Sequence, residues 1–135
     1  MVISQNNPDT IWVHEDSGAG PVVTAINTSG QTIASLALVG ATSIDWEDMA
    51  MGPCGDRTCL WVGDIGDNAN SRTDVHLLRF EEPHLDGHGS RIEVTPDVFA
   101  FEYADGPQDA EALIVDPSGQ PYVLTKRLDA TTHMY

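Results

Sequence analysis

Asp45-Trp46-Glu47-Asp48-Met49-Ala50 and Leu60-Trp61-Val62-Gly63-Asp64-Ile65-Gly66-Asp67-Asn68 are two apolar runs that carry carboxylates at their ends, joined by a turn bracketed by Cys54 and Cys59. A partial echo follows at Asp109-Ala110-Glu111-Ala112-Leu113-Ile114-Val115 and Pro121-Tyr122-Val123-Leu124-Thr125-Lys126. The Asp-x-Glu recurs 64 residues on, each time ahead of an apolar strand and a turn, which is the mark of a repeated structural unit. Three successive apolar residues at Leu60-Trp61-Val62 predict a strand buried on both faces.

Outward from this stretch the chain reads as β throughout. Thr10 to His14, Val22 to Ile26 and Gln31 to Val39 are strand-like runs separated by turns at Glu15 to Pro21 and Asn27-Thr28-Ser29-Gly30, whose residues suit tight reversals. Val75 to Phe80, Ala112 to Asp116 and Tyr122 to Thr125 continue the pattern. Ile92 to Val94 and Val98 to Tyr103 read as one strand interrupted at Pro96, with Phe99, Phe101 and Tyr103 on one face by the two-residue period. No stretch of helical length has convincing helical periodicity. About ten short strands with Gly, Pro, Asn and Asp turns predict an all-β protein. A partial β-propeller of about three antiparallel blades is expected, with a β-sandwich as the alternative.

Composition excludes several function classes. Against 21 Asp and Glu stand 6 Lys and Arg, a formal charge of −15, and residues 1 to 70 hold a single basic side chain, Arg57. Such a field repels nucleic acid and anionic lipid and attracts cations; a plain solvated acidic surface explains it equally well. No apolar window reaches the roughly 18 to 20 residues of a spanning helix. The opening Met1 to Pro8 lacks the basic start and apolar run of an export signal, so the chain as given is expected to be soluble. Cys54 and Cys59 fit a small disulfide-closed loop suited to an oxidising compartment, half a zinc ligand set, or free thiols.

The repeat defines the candidate chemistry. Asp45 and Glu47, and likewise Asp109 and Glu111, stand two apart and so share a strand face; Asp64, Asp67 and Asn68 would join them from the loop at the same end. Hard oxygen donors converging from several strands suit Ca²⁺, and turn capping is the structural alternative. A second reading is a metal-dependent hydrolase of phosphoesters or lactones, with Glu47, Asp64 and Glu111 as ligands, His14 as base and Lys126 holding the anion. In the structural alternative, His14 packs in its strand with a hydrogen-bond partner and Lys126 pairs with Glu47 or Glu111. His84, Asp86 and His88 form a weak metal trap in a loop.

These motifs together resemble the N-terminal part of a bacterial family of secreted β-propeller proteins of mostly uncharacterised function. The resemblance rests on Trp12-Val13-His14-Glu15-Asp16-Ser17-Gly18, Asp45 to Asp48, Gly63 to Asn68, Asp109 to Leu113 and Thr125-Lys126, and covers nearly the whole chain. It implies a propeller and a secreted or periplasmic setting, without an assigned activity. The chain departs from the family in lacking the export signal and in stopping after about three blades, at roughly 1–43, 44–105 and an incomplete 106–135. Three blades cannot close a ring, so the expectation is a binding or assembly module, either a homodimer completing a ring of about six blades or a piece of a larger protein. Calcium at the acidic central face and a small-molecule ligand are the expected partners.

Overall fold

A computed structural model describes residues 1–87, 89–127 and 131–135. Its regular elements are all strands: β1 (Val2–Ile3), β2 (Thr10–His14), β3 (Val22–Asn27), β4 (Thr32–Leu38), β5 (Trp46–Cys54), β6 (Arg57–Asp64), β7 (Val75–Glu81), β8 (Ser90–Val94), β9 (Asp97–Phe101), β10 (Ala110–Val115) and β11 (Pro121–Thr125). They form a sheet ordered β1-β2-β3-β4-β8, a second ordered β5-β6-β7-β9 and a hairpin β10-β11. The expected all-β class is therefore observed.

The doubly apolar run in β6 explains why three layers pack as they do. Leu60 and Val62 face one side, where they join Trp12, Leu36 and Leu38 of the first sheet and Trp46, Leu78 and Phe80 of the second. Trp61 faces the other side, among Ala50, Val75, Leu77 and the hairpin residues Leu113 and Val123. The second sheet is thus covered on both faces, with the first sheet on one and the hairpin on the other. The hairpin comes close: a Cβ on Gly52 of β5 would lie 2.2 Å from Cγ1 of Val115, so only glycine permits this approach. Beyond β11 the chain returns alongside it, and Val123 and Tyr135 exchange both backbone hydrogen bonds at 3.0 Å.

The stretch from 92 to 103 departs from expectation. It forms two strands in different sheets: β8 runs parallel to β4, with Leu36 opposite Ile92, while β9 runs antiparallel to β7, with Leu77 opposite Phe99. Pro96 falls between them, and a residue without an N–H ends one ladder where the chain crosses to the next. Tyr103 lies beyond β9 and packs edge-on against Phe101 and Tyr135, while Phe99 stacks on Trp61. The shared aromatic face is kept even though the strand is not continuous.

Cys54 and Cys59 are joined as a disulfide across the turn between β5 and β6. This resolves the three thiol alternatives and removes both sulfurs as zinc ligands. No helix among the described residues is long and apolar enough to cross a membrane.

A buried carboxylate ties the N-terminal strand to the second sheet. Glu82, 2 % exposed, accepts hydrogen bonds from the Ser4 hydroxyl, from Trp12 Nε1 at 2.7 Å and from the backbone N–H groups of Gln5 and Asn6 at 3.2 and 3.0 Å. Its neighbour Glu81 instead pairs with Arg57 at the surface. Removing the acceptor at position 82 leaves the buried Trp12 Nε1 and three part-buried donors unsatisfied. Glu82→Ala is therefore expected to cost about 3 kcal/mol in urea unfolding with an unchanged slope, while Glu81→Ala stays within about 1 kcal/mol.

Candidate functional site

The repeated Asp-x-Glu is also a repeat of backbone geometry. In the β5–β6 ladder Trp46 pairs with Asp64 and Asp48 with Gly63, leaving Glu47 as an extra residue. In the β10–β11 ladder Ala110 pairs with Thr125 and Ala112 with Leu124, leaving Glu111 as an extra residue. Each strand thus opens on a β-bulge at the Glu. The side-chain parity shows the same shift. Trp46 and Met49, three apart, share the first core, and Ala110 and Leu113, three apart, share the second. Unbroken alternation would put the members of each pair on opposite faces. Asp45 and Asp109 precede their strands, so each Asp–Glu pair is set by a bulge rather than by the regular two-residue period.

These bulges gather carboxylates from all three layers. Asp16, in the loop after β2, brings an oxygen within 4.8 Å of oxygens of Asp45 and Glu47, and the same separation relates Glu47, Asp109 and Glu111. Glu47 belongs to both triads. Gly66 closes one side of the cluster: a Cβ there would lie 2.4 Å from Glu47 Oε1 and 2.5 Å from Asp45 Oδ2, and its N–H donates to the Asp45 carbonyl at 3.1 Å.

The remaining expected ligands hold the cluster's frame. Asp64 is fully buried; its Oδ1 accepts from the Asp45 N–H at 2.9 Å and from Arg72 Nη1 at 3.0 Å. Asp67 donates its N–H to Asp109 Oδ1 at 2.9 Å and accepts the Arg72 N–H at 2.8 Å. Arg72 also donates to the Gly66 carbonyl at 2.8 Å. Asn68 is exposed on the loop. Asp48 turns away to accept the Leu113 N–H at 2.9 Å, linking the second sheet to the hairpin. Of the seven expected metal ligands, the structure brings together Asp45, Glu47, Asp109 and Glu111, and uses Asp64 and Asp67 as backbone caps.

The two residues of the hydrolase reading already have partners. Lys126 Nζ lies 2.6 Å from Glu111 and 3.6 Å from Asp109, one of the two pairings expected for it. The His14 ring nitrogen lies 2.8 Å from the Glu15 carbonyl oxygen, and the ring meets Trp46 edge-on at 5.8 Å. His84 and Asp86 line an open pocket with Asn6 and Thr10; His88, the third member of that trap, lies outside the described residues.

Asp16 and Gly66 were not expected in the site. The available signal for Asp16 was its place just past a Trp-bearing strand. Gly66 lay in view inside Gly63-Asp64-Ile65-Gly66, but its closeness to two carboxylates comes only from the fold.

Crowding leaves an electrostatic signature. Glu47 is pushed up to about 7, first by burial and then by Glu111, Asp16, Asp45 and Asp109. Asp45 is raised by burial and by Asp16. Glu111 holds the Lys126 ammonium above its usual value through their hydrogen bond. Carboxylates that resist ionisation together favour a shared proton or a cation.

Comparison with models of known protein families, with curated proteins and with solved structures finds no match. The chemistry of the cluster therefore carries the functional reading.

Glu47 takes up its proton more readily folded than unfolded, so its contribution to stability is fully present below the ordinary value of 4.5 and is lost as pH rises through about 7. In cation-free buffer the melting temperature is expected to fall between pH 4.5 and 7.5, and Glu47→Gln to flatten that slope, as differential scanning fluorimetry would show. Gly66→Ala meets only carboxylate ends, so the fold is expected to survive. The displaced Glu47 should titrate closer to 4.5, read from its carboxyl carbon by NMR.

Proposed function

We propose that this chain is a propeller-type binding or assembly module whose acidic end holds a divalent cation, with Ca²⁺ as the ion that fits. The observation that carries the reading is the sharing of Glu47 by two carboxylate triads drawn from three layers. An all-oxygen donor set without thiol or imidazole suits a hard cation of flexible coordination, and Ca²⁺ takes six to eight oxygens at about 2.3 to 2.6 Å. The formal charge of −15 concentrates cations at such a site. Lys126 supplies one positive charge at the Glu111 side, and a bound ion would supply charge beside Asp16, Asp45 and Glu47.

Three sheets stacked face to face through β6, with all neighbouring strands antiparallel except β4 and β8, support the propeller reading. Ile114 and Met134, 50 % and 64 % exposed on the last layer, support completion of a ring by a second copy or by further blades. The disulfide supports a secreted or periplasmic setting. Binding is favoured over hydrolysis because the anion-holding lysine of the hydrolase reading is paired with the cluster's own Glu111 and the His14 ring with the Glu15 carbonyl.

Millimolar Ca²⁺ is expected to raise the melting temperature of EDTA-treated protein, and more at pH 7.5 than at pH 5, where protons compete for the same oxygens. Glu47→Gln should weaken Ca²⁺ binding at least tenfold by calorimetry. An unchanged melting temperature at both pH values would refute the cation site.

A further inference from the structure

The outer edge of the second sheet is unlike the other strand edges. β9 pairs with β7 on one side only, without a bulge. Asp97, Val98, Phe99 and Ala100 are all exposed, so both faces of the strand are open at this edge; Val98 is 51 % and Phe99 41 % exposed. Unpaired N–H and C=O groups on a flat apolar edge are a template for another strand, and proteins normally blunt such edges with charge, proline, bulges or a cover. The outer strand of the first sheet, β8, carries Arg91 and Glu93, and β11 is covered by residues 133–135. Within its five residues β9 has no proline and a single charge, Asp97, which is paired with Arg79, and among the described residues no strand pairs with its outer side.

The edge also carries a fixed anchor. Phe99 stacks on Trp61 with ring centroids 5.7 Å apart, and the Arg79 guanidinium lies 5.1 Å from the Phe99 ring centre and 5.5 Å from that of Trp61. Arg79 is held in turn by Asp97 at 2.7 Å. An aromatic side chain already ordered in this way loses little freedom when a partner packs on it. The edge is closed at its ends by Asp97 and Glu102, so two such edges laid side by side would bring like charges together, whereas a cationic segment is attracted.

We propose that β9 is a docking edge for an extended peptide segment of a partner protein, with alternating β-branched residues at its centre and Lys or Arg at its ends. The incoming strand extends the second sheet through backbone hydrogen bonds. One of its faces packs on Phe99 and Phe101, the other on Val98 and Ala100. This site is independent of the carboxylate cluster.

The test is amide hydrogen exchange of the intact, disulfide-bonded chain with the peptide Lys-Thr-Val-Thr-Val-Thr-Lys at millimolar concentration, beside its twin with Glu at both ends. The expected result is at least tenfold slower exchange confined to residues 97–101, at least tenfold weaker binding of the Glu twin, and at least tenfold weaker binding by Phe99→Ala. Val98→Ser, on the opposite face of the strand, provides a second variant should Phe99→Ala disturb the fold, and is expected to weaken binding about threefold. Equal binding of both peptides, or no slowing at β9, overturns the proposal. Slowing at residues 45–48 and 109–111 would assign the peptide to the carboxylates instead, and slowing that follows protein concentration without peptide would assign the edge to a second copy.

Discussion

One extra residue at the start of each of two strands underlies most of this architecture. The bulges at Glu47 and Glu111 let Trp46 and Met49 enter one core and Ala110 and Leu113 the other, although each pair stands three apart. With the parity shifted, Asp48 is free to accept the Leu113 N–H and fix the spacing between second sheet and hairpin. The same shift projects Asp45, Glu47, Asp109 and Glu111 toward one another. Core packing and carboxylate convergence are two consequences of a single backbone feature.

That convergence is held against its own repulsion. Arg72 braces the frame through Asp64, Asp67 and the Gly66 carbonyl, and Lys126 neutralises the Glu111 side. Glu47, facing four other carboxylates, retains its proton toward neutral pH. Protonation of Glu47 relieves part of the repulsion among these carboxylates. Gly66 matters because it brings backbone, rather than a methyl group, up to the Asp45 and Glu47 oxygens.

The acidic residues divide by environment into distinct kinds of work. Glu82 and Asp64 are buried and act as hydrogen-bond acceptors that join separate segments. Asp97 orders Arg79 beneath an aromatic edge. The cluster residues run from exposed Asp16 to buried Asp109 and are mutually crowded. A net charge alone cannot distinguish these roles, because the same carboxylate is a staple, a clamp or a member of a crowded cluster according to which donors and charges the fold places beside it.

The sequence by itself determined what local rules govern: an all-β chain, the position of its turns, a doubly buried β6, and a repeat that brings acidic residues to the starts of two strands. Period and turn chemistry act over a few residues, so they can be read in order along the chain. Tertiary structure alone decided that the 92–103 stretch is shared between two sheets, that Asp16 joins Asp45 and Glu47, that Asp64 and Asp67 serve as caps, and that Glu82 is buried while Glu81 is not. Each of these depends on a partner far away in sequence. A carboxylate's role is set by desolvation and by the donors and charges within a few ångströms, and those are known only when the sheets have packed.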